Sequence, residues 1–325
     1  MAIAVLRSLD GRVRPIWRFL IAALLAFACW FGVGLLLRPP SIIGGVALIA
    51  FTIVVAVNVS IFYALSLTLD RTTRPMAYIG FPTDVPVARL IAIGFACGAA
   101  MVSLAVLVIA IGGTTSFRWR MDGAMLQAAA MQMVVFPVAA LHEELMFRGY
   151  PFQRLTESIG AWPAVIILSV LFAVPHLFNP NSTIYAAFNT AAVGSLLGAS
   201  YLLTRSLWLP WGIHWGWNLV LAVAYGLSVS GFDTDGPVDG SVMGPEWLTG
   251  GAYGIEGGAS GSIAIVVGFG VLLWIVRRPA LIGAPAPSPL TYVIESSSSS
   301  ASSLPSVSSE SSSPPESSSP SVRSD

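Results

Sequence analysis

Lysine is missing from the chain; all 16 basic residues are arginine. A phosphate-binding P-loop needs a lysine on the phosphate oxygens, so that class of nucleotide chemistry is excluded. Charge is scarce too. Asp, Glu and Arg make up 10% of the 325 residues, against roughly 25% in a soluble domain. The 16 acids balance the 16 bases, so net charge makes no electrostatic case for a nucleic-acid partner. Cysteine occurs twice, at Cys29 and Cys97, each inside an apolar run. That supports neither a disulfide framework nor a thiolate metal cluster. Histidine occurs three times, at His142, His176 and His214.

What the chain does have is apolar sequence: 55% of it is hydrophobic, with a mean hydropathy of +0.78. A membrane-spanning helix needs about 20 mostly apolar residues. Eight segments qualify, at 16–37, 43–68, 88–111, 124–147, 161–178, 183–203, 208–230 and 261–276. Backbone polar groups in lipid must be satisfied internally, so the spans are helices and the expected fold is an all-α, polytopic transmembrane bundle. The first run is too long for a signal peptide and reads as a retained span. Arginine sets the orientation. With the N-terminus inside, Arg7, Arg12, Arg14, Arg18, Arg71, Arg74, Arg89, Arg148, Arg154, Arg205, Arg277, Arg278 and Arg323 are cytosolic, against Arg38, Arg118 and Arg120 outside. Both termini are then cytosolic, and the acidic loop 231–260 lies outside. Residues 1–278 form the membrane domain, with a functional core at about 124–230. Residues 279–325 are rich in Ser and Pro and read as a disordered cytosolic tail. The expected location is the bacterial plasma membrane.

Ionisable groups inside spans are costly and mark function. Glu143, Glu144 and Arg148 close the fourth span, His176 closes the fifth, and His214 with Asn218 sits in the seventh. Glu144 and Arg148 are four apart, the spacing of an ion pair on one helix face. Phe172–His176 and His214–Asn218 repeat that spacing. Glu143 points about 100° away from Glu144. Counted from a turn at Gly160, Glu143 and His176 lie at the same depth, about 25 Å along their helices. His214 matches that depth if the tip 148–160 protrudes into the cytosol and the turn Asn179–Ser182 is sunk in the membrane.

A carboxylate, two imidazoles and an amide in one cavity suit hydrolysis by activated water. Glu143 is the expected general base, with His176 helping to hold the water and His214 and Asn218 stabilising an oxyanion. Alternatively Glu143, His176 and His214 bind Zn²⁺ as a His₂Glu set. Residues alone do not separate the two, so the expected cofactor is either zinc or none. Glu144–Arg148 is a structural ion pair in both. The segment His142–Met146 lacks the second histidine of a zincin. Gly258-Ala259-Ser260-Gly261 resembles a rhomboid nucleophile motif, yet no histidine follows it to act as base. A non-catalytic scaffold, an immunity protein or a transporter could use the same polar cavity, although the halves of the chain show no internal repeat.

The ordered triple EExxxR (Glu143–Arg148), FxxxH (Phe172–His176) and HxxxN (His214–Asn218) resembles the CAAX-protease and bacteriocin-processing (CPBP, or Abi) intramembrane endopeptidases. The segment Gly194–Trp208 is similar to that family's sixth span. The resemblance covers about residues 124–230 and implies peptide-bond hydrolysis on a membrane-associated peptide or protein. It implies Glu143 and His176 as the water-activating pair, His214 and Asn218 as the oxyanion site, and Glu144 paired to Arg148. Family members are described both as metalloproteases and as glutamate-dependent enzymes. His142, the acidic loop and the Ser-rich tail are departures from the pattern. Gly194 and Gly198 form a GxxxG suited to close helix packing, and Trp208, Trp211, Trp215 and Trp217 read as an interfacial belt.

Overall fold

A computed structural model describes residue 6 and residues 11–38, 41–120 and 122–282. The expected tail lies, beyond Ile282, outside the described residues. In chain order the principal elements are α1 (Pro15–Leu37), α2 (Gly45–Thr68), α3 (Val87–Gly112), β1 (Thr114–Trp119) and α4 (Gly123–Arg148). There follow α5 (Tyr150–Ile159), α6 (Ala161–His176), α7 (Ile184–Thr204), α8 (Trp208–Leu219), β2 (Val238–Met243) and α9 (Ala259–Val276). The protein is a polytopic helical bundle. Among the described residues six helices are long and apolar enough to cross a membrane: α1, α2, α3, α4 counted with α5, α7 and α9.

Two expected spans are shorter than the sequence suggests. Helix α6 has 16 residues and α8 has 12, followed by one π-helical turn at Val220–Ala224. At 1.5 Å per residue they rise about 24 and 18 Å, less than the roughly 30 Å of hydrocarbon. The 208–230 run is cut because the chain turns at Gly226. That residue has φ +60°, and a Cβ there would sit 2.0 Å from the carbonyl oxygen of Val238. The apolar residues after Ala224 thus belong to a loop folded onto the bundle. The all-α expectation also misses a two-stranded antiparallel sheet, β1 on β2, in register from Thr114 opposite Met243 to Trp119 opposite Val238. Its paired residues lie 119 or more positions apart along the chain, and such pairing leaves no local signature.

Two apolar cores form. One surrounds α3, α8 and α9, the other surrounds α1, α2, α4, α5 and α6. Helix α7 serves both, with Leu196 and Leu197 in the first and Tyr201 and Leu202 in the second. The tightest contact in the bundle is α3 against α8. A Cβ on Gly94 or Gly98 would fall 2.4 Å from Leu209 O or 2.1 Å from Ile213 O, and one on Gly212 or Gly216 would fall 2.5 Å from Ile91 O or 2.3 Å from Phe95 O. The two helices therefore touch backbone to backbone, as small-xxx-small faces permit. The expected GxxxG on α7 also serves close packing: Gly194 meets Ser169, and Gly198 meets Val165, both on α6.

The tip at 148–160 packs onto the bundle. Helix α5 packs along α1, with Phe152 and Leu155 in the core. Its Arg154 is buried on Asp70, which also binds Arg18 and accepts a hydrogen bond from the Tyr150 hydroxyl at 2.6 Å. An unpaired buried charge is expensive, so this cluster ties α5 to α1 and to the end of α2.

Candidate active site

The end of α4 supplies two adjacent carboxylates to one imidazole. Glu144 is fully buried, and its Oε1 accepts from Arg148 Nη1 at 3.1 Å and from His214 Nδ1 at 2.9 Å. Arg148 Nη2 donates to the Gly194 carbonyl at 3.0 Å, a group exposed to it because residue 194 carries no side chain. The guanidinium lies 4.4 Å from the centre of the Phe172 ring. That ring packs 4.9 Å from His176 and presents an edge to His214 at 6.1 Å. Phe172 is thus the hub that joins the EExxxR and FxxxH segments, through cation–π and aromatic contact. The pair Glu144–Arg148 was expected; the bond from Glu144 to His214 was not, because spacing within one helix is silent about a partner 70 residues away.

Each imidazole has an acceptor at Nδ1. A backbone carbonyl only accepts, so His176 Nδ1, 2.9 Å from Phe172 O, carries the proton and leaves Nε2 as an acceptor. His214 Nδ1 likewise donates to Glu144, which turns Nε2 towards Glu143 Oε2 at 3.7 Å. Glu143 differs from its neighbour. Both acids leave Oε2 without a hydrogen-bond partner among the described residues, but the Glu143 side chain is 28% exposed where that of Glu144 is fully buried.

Glu143, His176, His214 and Asn218 line one cavity of about 490 Å³. Its remaining wall is largely aromatic and aliphatic and includes Phe27, Trp30 and Phe31 of α1 and Phe51 of α2. The turn after α6 reaches the same cavity. Asn179 lines it, and its Nδ2 donates to Ser230 O at 2.9 Å. His142 also lines it, nearly buried beside the Trp30 and Phe51 rings, with both ring nitrogens unpartnered among the described residues.

Sequence reasoning missed Glu256, just ahead of α9. It lines a pocket with His176, His214 and Asn218. Burial pushes its carboxyl up, opposed by donors from Ser230 and Trp217. An acid in a glycine-rich loop carries no periodic cue. Trp217, read as part of an interfacial belt, is buried, and its indole N–H donates to Glu256 at 2.8 Å. Trp208 and Trp211 donate inward too, to Pro82 O at 2.9 Å and Pro137 O at 2.7 Å. Ser260, of the rhomboid-like GxSG, is fully buried with Oγ directed at Ile255 O.

Among the described residues no set of three His, Cys, Asp or Glu side chains is arranged to hold a metal ion, Glu143, His176 and His214 included. His214 Nδ1 is committed to Glu144, so Nε2 is the nitrogen left to face Glu143.

Residues 125–220 match the family described as type II CAAX prenyl endopeptidase, Rce1-like. The matched stretch contains EExxxR, FxxxH and HxxxN in full. No curated protein matches the chain.

Proposed function

Since residues 125–220 fall in the CAAX-protease family, we propose that the chain is an intramembrane endopeptidase with Glu143 as its general base. The observation that carries this reading is the division of labour among three carboxylates. Glu144 is fully buried with Oε1 held by Arg148 and His214, and Glu256 has both oxygens held, by Trp217 and Ser230. Glu143 alone of the three combines an open face with an unpartnered oxygen in the large cavity.

The chemistry follows from that assignment. A membrane-associated peptide enters the apolar cavity with its scissile carbonyl near His214 and Asn218. Glu143 takes one proton from a water whose other hydrogen is held by His176 Nε2, and the water oxygen bonds to the carbonyl carbon. Negative charge moves to the carbonyl oxygen, where the Asn218 amide and a protonated His214 Nε2 donate to it. Collapse of the intermediate breaks the C–N bond, and Glu143 returns its proton to the departing amine. No step runs through a metal. Glu144 holds the His214 ring by its Nδ1–H, the role an orienting carboxylate plays in other imidazole sites.

The enzyme resides in the bacterial plasma membrane with both termini cytosolic, as the arginine distribution supports. The test is cleavage of a membrane-tethered peptide by purified protein in nanodiscs. Glu143→Gln keeps the shape of the side chain and loses its basicity, so it should abolish cleavage while leaving yield and melting temperature unchanged. Equal cleavage by the variant would remove Glu143 from the mechanism. A binding scaffold or immunity protein would tolerate the change.

A further inference from the structure

Glu256 belongs to none of the three motifs and lies outside the matched segment. Each of its carboxylate oxygens has its own donor: Oε1 accepts from Trp217 Nε1, and Oε2 from the backbone N–H of Ser230. Trp217 immediately precedes Asn218 on α8. The Ser230 carbonyl accepts in turn from Asn179, which follows α6. The Glu256 backbone carbonyl accepts from Asn189 of α7 at 2.8 Å. One acid therefore joins the helix of His214 and Asn218, the loop at Ser230 and, through Asn179, the end of the helix that carries His176.

Gly231 makes this junction tight. It has φ +85°, and a Cβ there would lie 2.2 Å from Pro180 O. The loop at 229–232 thus sits directly on the 179–182 turn, and Ser230 and Asn179 form part of the wall of the large cavity. A carboxylate suits the position because two N–H donors converge on it and a carboxylate offers two acceptor oxygens. An amide offers one, and turns its NH₂ against the remaining donor.

Resting on the endopeptidase reading, we propose that Glu256 is a positioning residue. It fixes the Ser230–Asn179 wall of the pocket relative to His214 and Asn218, so that the loop at 226–258 completes the active site. With both oxygens engaged, it is not a second base.

The experiment measures kcat, KM and melting temperature for full-length protein in nanodiscs with a membrane-tethered peptide. It compares wild type, Glu256→Gln, Trp217→Phe, the double variant and Glu143→Gln. Leaving one buried donor unpaired in Glu256→Gln should lower kcat per folded molecule about tenfold. KM should stay close to wild type, and the melting temperature should fall only modestly, as one unpaired buried donor requires. Trp217→Phe removes one of the two donors, so the amide oxygen can serve Ser230. The double variant should then be no slower than Trp217→Phe alone, a rescue that general loss of packing does not produce. The proposal is overturned by wild-type kcat in Glu256→Gln, by a rise in KM alone, by a loss of activity that tracks loss of folded protein, or by single effects that multiply in the double variant. If Glu143→Gln also cleaves at the wild-type rate, the endopeptidase reading fails, an outcome distinct from failure of the Glu256 assignment.

Discussion

Replacing Glu144 by leucine removes the one acceptor shared by Arg148 and His214. The guanidinium would stay buried with the Gly194 carbonyl and the Phe172 face, but without a counter-charge. Breaking one side of a buried ion pair costs about 3–5 kcal/mol, or roughly a hundredfold to a few thousandfold in the folded-to-unfolded ratio. The double variant Glu144→Leu/Arg148→Leu removes the stranded charge as well. What remains is chiefly the unpaired Gly194 carbonyl, worth about 1–3 kcal/mol. The double variant should therefore melt above the single one, although it carries more substitutions. Thermal unfolding in nanodiscs, followed by tryptophan fluorescence, reads this directly. Activity should move differently: neither variant should recover cleavage, because His214 has lost the carboxylate that orients its ring. Glu144→Gln separates the roles, keeping an acceptor for His214 while stranding Arg148. A single variant that melts with wild type, or a double as unstable as the single, would refute the reasoning.

Other expectations follow from contacts already described. Cleavage by protein stripped of metal and assayed with a chelator should match that of untreated protein; a loss restored by zinc would overturn the metal-free mechanism. Gly98→Ala places a methyl 2.1 Å from Ile213 O, so α3 and α8 must separate, at a cost of about 1–3 kcal/mol visible as a lower melting temperature. Asp70→Asn leaves Arg18 and Arg154 buried without their shared carboxylate; it should destabilise by about 3–5 kcal/mol. If unfolding is unchanged, α5 is held by its apolar face alone. Phe172→Ala empties a buried site under Arg148 and both imidazoles, and should lower stability by about 3–5 kcal/mol while reducing cleavage.

Much of the fold was legible because lipid makes a blunt demand on sequence. Long apolar runs mark α1, α2, α3, α4, α7 and α9, and the few ionisable residues within them stand out. Glu143, His176, His214 and Asn218 share a cavity although their helices, α4, α6 and α8, are separated in the chain by α5 and α7. Features built from long-range pairing were not legible. The bond from Glu144 to His214, the meeting of Asp70 with Arg18 and Arg154, and the pairing of β1 with β2 all depend on partners that local periodicity does not name. The shortening of α8 escaped notice for another reason. Residues 220–229 are as apolar as a helix, but they bury against the bundle as a π-turn and loop, where the same composition serves a different backbone. Glu256 combines both difficulties, being a loop residue whose meaning lies in donors 26 and 39 residues away.

The crossing of α3 over α8 restricts which relatives of this chain can exist. At Gly94, Gly98, Gly212 and Gly216 the smallest possible side-chain carbon already overlaps a backbone oxygen, so drift at any one of these positions cannot be absorbed by rotamer adjustment. Sequences that keep His214 and Asn218 on a helix seated this way must keep the four glycines together, or abandon them together for a wider crossing. Two of the four lie on the HxxxN helix, and the other two, on α3, lie well upstream of the three motifs. A paired GxxxG is therefore a landmark by which this architecture can be sought in chains where the motif residues alone are too sparse to decide.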